Sequence, residues 1–173
     1  MTTIDHTQSG ISFAPRARRA PLARALQRAI ATPNDAAATV ARVALGLIML
    51  PHGMQHALGL FGGYGFSGTF GWMTATLGFP APLAALAIVT ELVAPFLLIA
   101  GLGGRAAAVG IIGIMAGAVI THASSGFFMN WFGKLPAGSE GFEYHLVVAA
   151  LAAVVAIKGS GALSLDRVVS RRA

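Results

Sequence analysis

Polar and apolar positions in this chain do not alternate with the periods of a soluble helix or strand; they separate into blocks. Four blocks are apolar on every face for roughly the 20 residues that a helix needs to cross a bilayer: residues 36–60, 82–102, 105–123 and 142–163. The first opens on TPND, where Asn34 or Asp35 can accept hydrogen bonds from the free N–H groups of a helix start. Only GLGGR separates the second block from the third, a length that fits a tight antiparallel hairpin. The pattern predicts an all-α membrane protein, a four-transmembrane-helix bundle.

Two other stretches carry shorter patterns. In PLARALQRAI, Leu22, Ala25, Leu26, Ala29 and Ile30 fall on one helical face, with Arg24 and Arg28 mostly opposite. This predicts either a short helix lying on anionic lipid or a charged tail that only enforces topology. Residues 1–20 read as disordered, and the first 35 residues contain no apolar run of signal-peptide length. The loops after the first and third blocks are rich in glycine and aromatics, with Tyr64, Trp72, Trp131 and Tyr144 suited to the bilayer interface. A brief interfacial or re-entrant helix is expected around residues 69–77.

Composition strengthens the membrane reading. Charged residues make up 10% of the chain and apolar residues 55%, with a mean hydropathy of +0.72; soluble domains carry about 25% charged residues. The net charge of +6 does not indicate nucleic acid, because the basic residues flank the apolar blocks. Six of the twelve lie at or before Arg42 and four more at Lys158, Arg167, Arg171 and Arg172. By the positive-inside rule both termini are cytoplasmic, the protein is a multi-pass protein of the cytoplasmic (inner) membrane, and Lys134 lies outside. The expected organisation is a basic tail over 1–35, a membrane domain over 36–165 and a basic C-terminal tail over 166–173. Arg42, Arg105 and Lys158 are expected to snorkel to the cytoplasmic interface. With no cysteine, the chain excludes disulfides, thiolate metal sites and Cys-ligated clusters.

The candidate chemistry lies in ionisable groups on the other half of the blocks. His52 and His56 are one turn apart on the first, Glu91 is within the second, His122 ends the third, and Glu143 and His145 open the fourth. A charged carboxylate at mid-bilayer costs about 2.5–3.5 kcal/mol, so Glu91 must be protonated, paired or beside a wet cavity. His52 falls at a similar depth and is the expected partner. Pro51 and Pro95 interrupt the helices beside both residues, as happens where a span lines a cavity. Glu143 and His145 are about 200° apart on a helix, and His145 is expected inward. The competing reading is plain helix-packing hydrogen bonds. Zinc or copper on His52, His56 and Glu91, or a haem held by His56 with His122 or His145, ranks behind both, and no resident metal is expected.

Three stretches, PHGMQHALGLFGG, ELVAPFLLIAGLGGRAAA and GFFMNWFGK followed by EGFEYHL, resemble the DoxX family of small bacterial membrane proteins over residues 36–165. The resemblance implies a four-helix membrane protein. It also implies a link to redox chemistry, because the related DoxD family supplies a subunit of a thiosulfate:quinone oxidoreductase. The family's HG-x-x-(K/H) stretch falls on His52, Gly53 and His56, and its second-helix glutamate on Glu91. The expectation is therefore a membrane subunit of a quinone-linked oxidoreductase. His52 and Glu91 would be its catalytic residues, with His56, His122 and His145 binding substrate. A quinone is the candidate cofactor, with the lipid bilayer, an oxidoreductase partner protein and a second copy of the chain as candidate partners. The rival readings are a non-enzymatic scaffold for a redox or stress-response complex and, behind it, a small-molecule transporter. The latter could dimerise through the small residues Gly113 and Gly117.

Overall fold

The computed structural model describes residues 31–136 and 139–172; the readings of residues 1–30 lie outside them. The described residues are helical, with no strand among them: α1 (Ala36–Leu58), α2 (Gly65–Gly71), α3 (Ala81–Ala100), α4 (Gly104–His122), α5 (Glu143–Lys158) and α6 (Leu165–Arg172). A π-helical turn, Trp72–Thr76, continues α2. Among the described residues, three helices are long and apolar enough to cross a membrane: α1, α3, and α4 with the 3-10 turn that extends it to Ser125. The fourth apolar block forms a helix of 16 residues rather than the 22 expected. Gly159 and Gly161 adopt positive φ and end it, because a glycine in that conformation stops a helix at no steric cost.

The helix ends are set by local chemistry. Asp35 caps α1, its carboxylate accepting the N–H of Ala38 at 3.0 Å, and Gly59 at φ 73° closes the other end. Gly101 at φ 70° ends α3, and Gly103 at φ 61° starts α4 two residues later, which produces the expected hairpin. The α4 N-terminus receives a carboxylate from far along the chain. Asp166 accepts the N–H of Gly103 at 2.8 Å and of Gly104 at 3.2 Å, and the Ser160 hydroxyl at 2.6 Å. A negative group there satisfies free donors and complements the helix dipole. Asp166 is buried, so the start of the basic C-terminal segment is anchored to the α4 N-terminus.

Arg42 also departs from expectation. It is 1% exposed and does not snorkel. Its guanidinium donates to the carbonyls of Leu98, Ile99 (2.8 Å), Ser160 (2.8 Å) and Leu163 (3.2 Å). The carbonyls at the end of a helix lack the usual donor four residues on; the Leu98 carbonyl also accepts the Gly101 N–H at 3.1 Å, and the arginine fork adds donors while tying α1 to the turn after α5. Lys158 meets Asp35 at 2.6 Å at the same end. The Asp35 carboxyl is held below the usual carboxylate range, chiefly by that hydrogen bond and next by the Ala38 N–H.

The four long helices lie side by side, α1 most extensively against α3 and α5 against α4. Leu45, Met49, Leu98, Ile111, Val148 and Val155 form the centre of the core. Small residues bring α1 and α3 together. A Cβ on Gly46 would come within 2.8 Å of Ile99 Cγ1, and one on Gly53 within 2.2 Å of the Glu91 carbonyl oxygen. Pro95, four residues after Glu91, has no N–H to give that carbonyl. The carbonyl faces Gly53 instead.

Candidate functional site

The α1–α3 register decides which imidazole meets the carboxylate. Arg42 lies against Leu98 and Ile99, and Gly53 against Glu91. Helical side chains lean towards the N-terminus of their own helix. In an antiparallel pair, Glu91 therefore leans towards the end of α1 that carries His56, and His56 leans back towards Glu91. The two meet: His56 Nδ1 is 2.6 Å from Glu91 Oε2. His52 leans the other way, and its Nε2 faces the Tyr144 hydroxyl of α5 at 3.4 Å. The expected His52–Glu91 pair is thus replaced by His56–Glu91, because depth counted from Cα positions ignores the direction of the side chain.

At 2.6 Å a single proton lies between His56 and Glu91, and the neutral pair differs from the ion pair only in which atom holds it. The carboxylate side chain is 10% exposed and the imidazole 40% exposed, so the histidine is the member open to its surroundings.

A cavity of about 760 Å³ adjoins this pair. The five residues given catalytic or binding roles from the sequence all line it: His52, His56, Glu91, His122 and His145. The rings of His122 and His145 stack at 4.9 Å between centroids and 27° between planes. His122 Nδ1 is 2.8 Å from the Glu140 carbonyl oxygen and donates to it, which leaves Nε2 as the acceptor nitrogen. Stacked rings present faces to each other and not nitrogen lone pairs. Among the described residues no group of three His, Asp or Glu side chains is placed to hold a metal ion. Glu143 stands apart, its carboxylate accepting the N–H of Met129 at 3.3 Å and the indole N–H of Trp131 at 3.2 Å. It organises the α4–α5 loop while His145 faces the cavity.

Among the polar cavity residues not identified from the sequence, Tyr144 and Thr69 stand out. Tyr144 was assigned to the bilayer interface, yet it shares a helical face with the buried Val148, Ala152 and Val155, and that spacing is visible in the sequence. Thr69 on α2 is 5% exposed, lines the cavity, and its hydroxyl has no hydrogen-bond partner among the described residues. No sequence signal distinguishes it from other loop threonines. Most of the lining is apolar, including Met49, Met73, Leu77, Phe79 and Ile114. The site therefore combines a greasy chamber with a few polar groups, the usual constitution of a small-molecule pocket, and its volume lies within the common range of roughly 300–1,000 Å³.

Comparison with curated proteins and with solved structures returned no match. The DoxX family profile matches residues 37–124, half of the chain, from the first turn of α1 to the end of α4, and the protein belongs to the DoxX family.

Proposed function

We propose that this DoxX protein is the membrane subunit of a quinone-linked oxidoreductase, and that the cavity beside His56 and Glu91 binds the quinone headgroup. The observation that carries the reading is the 2.6 Å imidazole–carboxylate pair at the edge of an otherwise apolar chamber. Reduction of a quinone takes up two electrons and two protons. The sequence carries no recognisable redox-cofactor motif, and in this reading an oxidoreductase partner protein supplies the electrons. This chain binds the ring and moves the protons. His52 or Tyr144 donates a hydrogen bond to one quinone carbonyl, and His56 passes a proton inward, recharged through Glu91. His122 and His145 flank the ring and complete the polar side of the pocket. Within this account Glu91 is a relay and His56 the group facing substrate, with His52 a hydrogen-bond donor.

Topology belongs to the same proposal. α5 runs from Tyr144, beside His52, to Lys158, beside Asp35, and so runs alongside α1 from its N-cap to His52. This supports α5 as a fourth transmembrane helix despite its 16 residues. Arg42, Arg105, Lys158, Arg167 and Arg171 gather at one end, and Lys134 lies at the other. Under the positive-inside rule the basic end and both termini are cytoplasmic, the membrane is the cytoplasmic one, and the cavity opens in the outer half. The membrane domain then covers 36–165, with α6 packed beneath it.

The test is to replace Glu91→Gln and His52→Ala and to measure quinone binding and quinol-linked activity in membranes. The reading expects activity to fall in both variants, with binding retained better in Glu91→Gln, whose amide keeps the hydrogen bond. Unaltered binding and activity in both would remove the cavity from the reaction.

A further inference from the structure

α3 and α4 leave the Gly101–Gly103 turn as neighbours, but the space between them changes along their length. Three glycines on α4 follow the change. A Cβ on Gly110 would press to 2.7 Å from Thr90 Cγ2. One on Gly113 would meet nothing within 4 Å, and one on Gly117 would meet only the Phe79 ring, at 3.7 Å. The two helices therefore diverge beyond Gly110, and the cavity occupies the gap.

The position of the cavity mouth follows from its lining. Leu83 and Leu86 on α3, and Val109 and Ile120 on α4, border the cavity while being 48–74% exposed on the outside of the bundle. These residues belong to both lips of the α3–α4 gap. In a membrane-spanning helix, an exposed leucine or valine faces lipid. The chamber thus communicates sideways with the acyl chains. His56, Glu91 and the orphaned Thr69 hydroxyl hold its polar side.

We propose that the ligand of this cavity is a lipid-borne amphiphile, a quinone carrying an isoprenoid tail, that moves in laterally between α3 and α4 and leaves its tail in the gap over Gly113 and Gly117. The proposal rests on the quinone reading above and adds the class of quinone and the residues that select it. A flat or thin chain fits where two successive turns of α4 have no side chain. A ring without a tail needs only the polar side of the chamber, whose walls these glycines do not narrow. Gly113 and Gly117 are in this account specificity residues for the tail.

The experiment compares two probes, a tail-less water-soluble quinone and the same ring bearing several isoprene units, by equilibrium titration of the protein in lipid nanodiscs. The variants are Gly113→Leu and, as a matched control on the same helix away from the cavity, Ala106→Leu, which is exposed. Gly113 has open space around it, so the larger side chain fits without disturbing the core. The expected result is that Gly113→Leu weakens binding of the tailed quinone at least about tenfold, a typical cost of filling an apolar subsite. It should leave the tail-less quinone within about twofold, and Ala106→Leu should change neither. Equal weakening of both probes by Gly113→Leu, or no weakening of either, overturns the tail proposal and leaves the headgroup site standing. If neither probe binds the unaltered protein, the headgroup site falls and the tail proposal with it.

Discussion

Gly53 of α1 faces the carbonyl group of Glu91 on α3, so closely that an added Cβ would come within 2.2 Å of its oxygen. The helix contact and the candidate proton relay are built at one level of the bundle, because the same register brings the Glu91 side chain to His56.

A methyl group at Gly53 must push α1 and α3 apart. Gly53→Ala is expected to destabilise the fold by about 1–3 kcal/mol, the usual cost of overpacking. Gly113→Ala, whose new methyl meets nothing, should be neutral or stabilising by up to about 1 kcal/mol, since alanine favours the helix. Thermal or denaturant unfolding in detergent checks both, and equal effects at the two positions would refute the close approach.

Arg42 gives a second contrast. Its fork serves four backbone carbonyls at the end of the bundle away from the cavity. Arg42→Ala leaves buried acceptors unsatisfied and should cost on the order of 3 kcal/mol. Arg42→Lys should recover little of it, because a compact ammonium cannot reproduce the planar fork. Full rescue by lysine in an unfolding experiment would show that charge alone matters there.

The Asp35–Lys158 contact predicts a pH dependence. Asp35 is held below its ordinary value in the folded protein, mainly by the Lys158 hydrogen bond. A carboxylate depressed in this way stabilises the fold above its unfolded value, about 3.9, and that contribution disappears as the pH falls through the folded value. Asp35→Asn keeps a helix-capping side chain and removes the charge. The melting temperature of the unaltered protein should therefore exceed that of Asp35→Asn at neutral pH, with the difference closing in acid below the carboxylate range. A difference that persists unchanged in strong acid would contradict the assignment.

How much of this could be read in the sequence depended on whether a feature lives in the chain or in the packing. The bounds of α1, α3 and α4 follow from runs of apolar residues ended by Asp35, Gly59, Gly101 and Gly103, and each lies within about two residues of the structure. The end of α5 was placed too late, because hydropathy counts Ala162 and Leu163 as apolar and does not register that the intervening glycines have turned the chain. The convergence of His52, His56, Glu91, His122 and His145 on one cavity was legible as an asymmetry of polar residues along the spans. The choice of His56 over His52 was not, since it depends on interhelical register and the lean of side chains. Arg42 was misread for the same reason: one arginine near a helix end looks alike whether it reaches water or a neighbour's carbonyls.

Among the described residues, Thr69 is the buried hydroxyl without a partner. Thr69→Val keeps its shape and removes the group whose desolvation is uncompensated, so stability should be unchanged or rise, by up to about 1–2 kcal/mol. If the hydroxyl serves a bound ligand, the same variant should weaken that ligand's binding. A loss of stability in the ligand-free protein would mean that the hydroxyl has a structural partner after all.

The account stands most directly on what the cavity holds when the protein leaves its membrane. Native mass spectrometry of protein extracted in mild detergent should show an adduct with the mass of a prenylated quinone, present in the unaltered chain and depleted in a His56→Ala, Glu91→Gln double variant. Spectra without such an adduct, or with the same adducts in both proteins, would contradict the claim that the His56–Glu91 chamber is a quinone site.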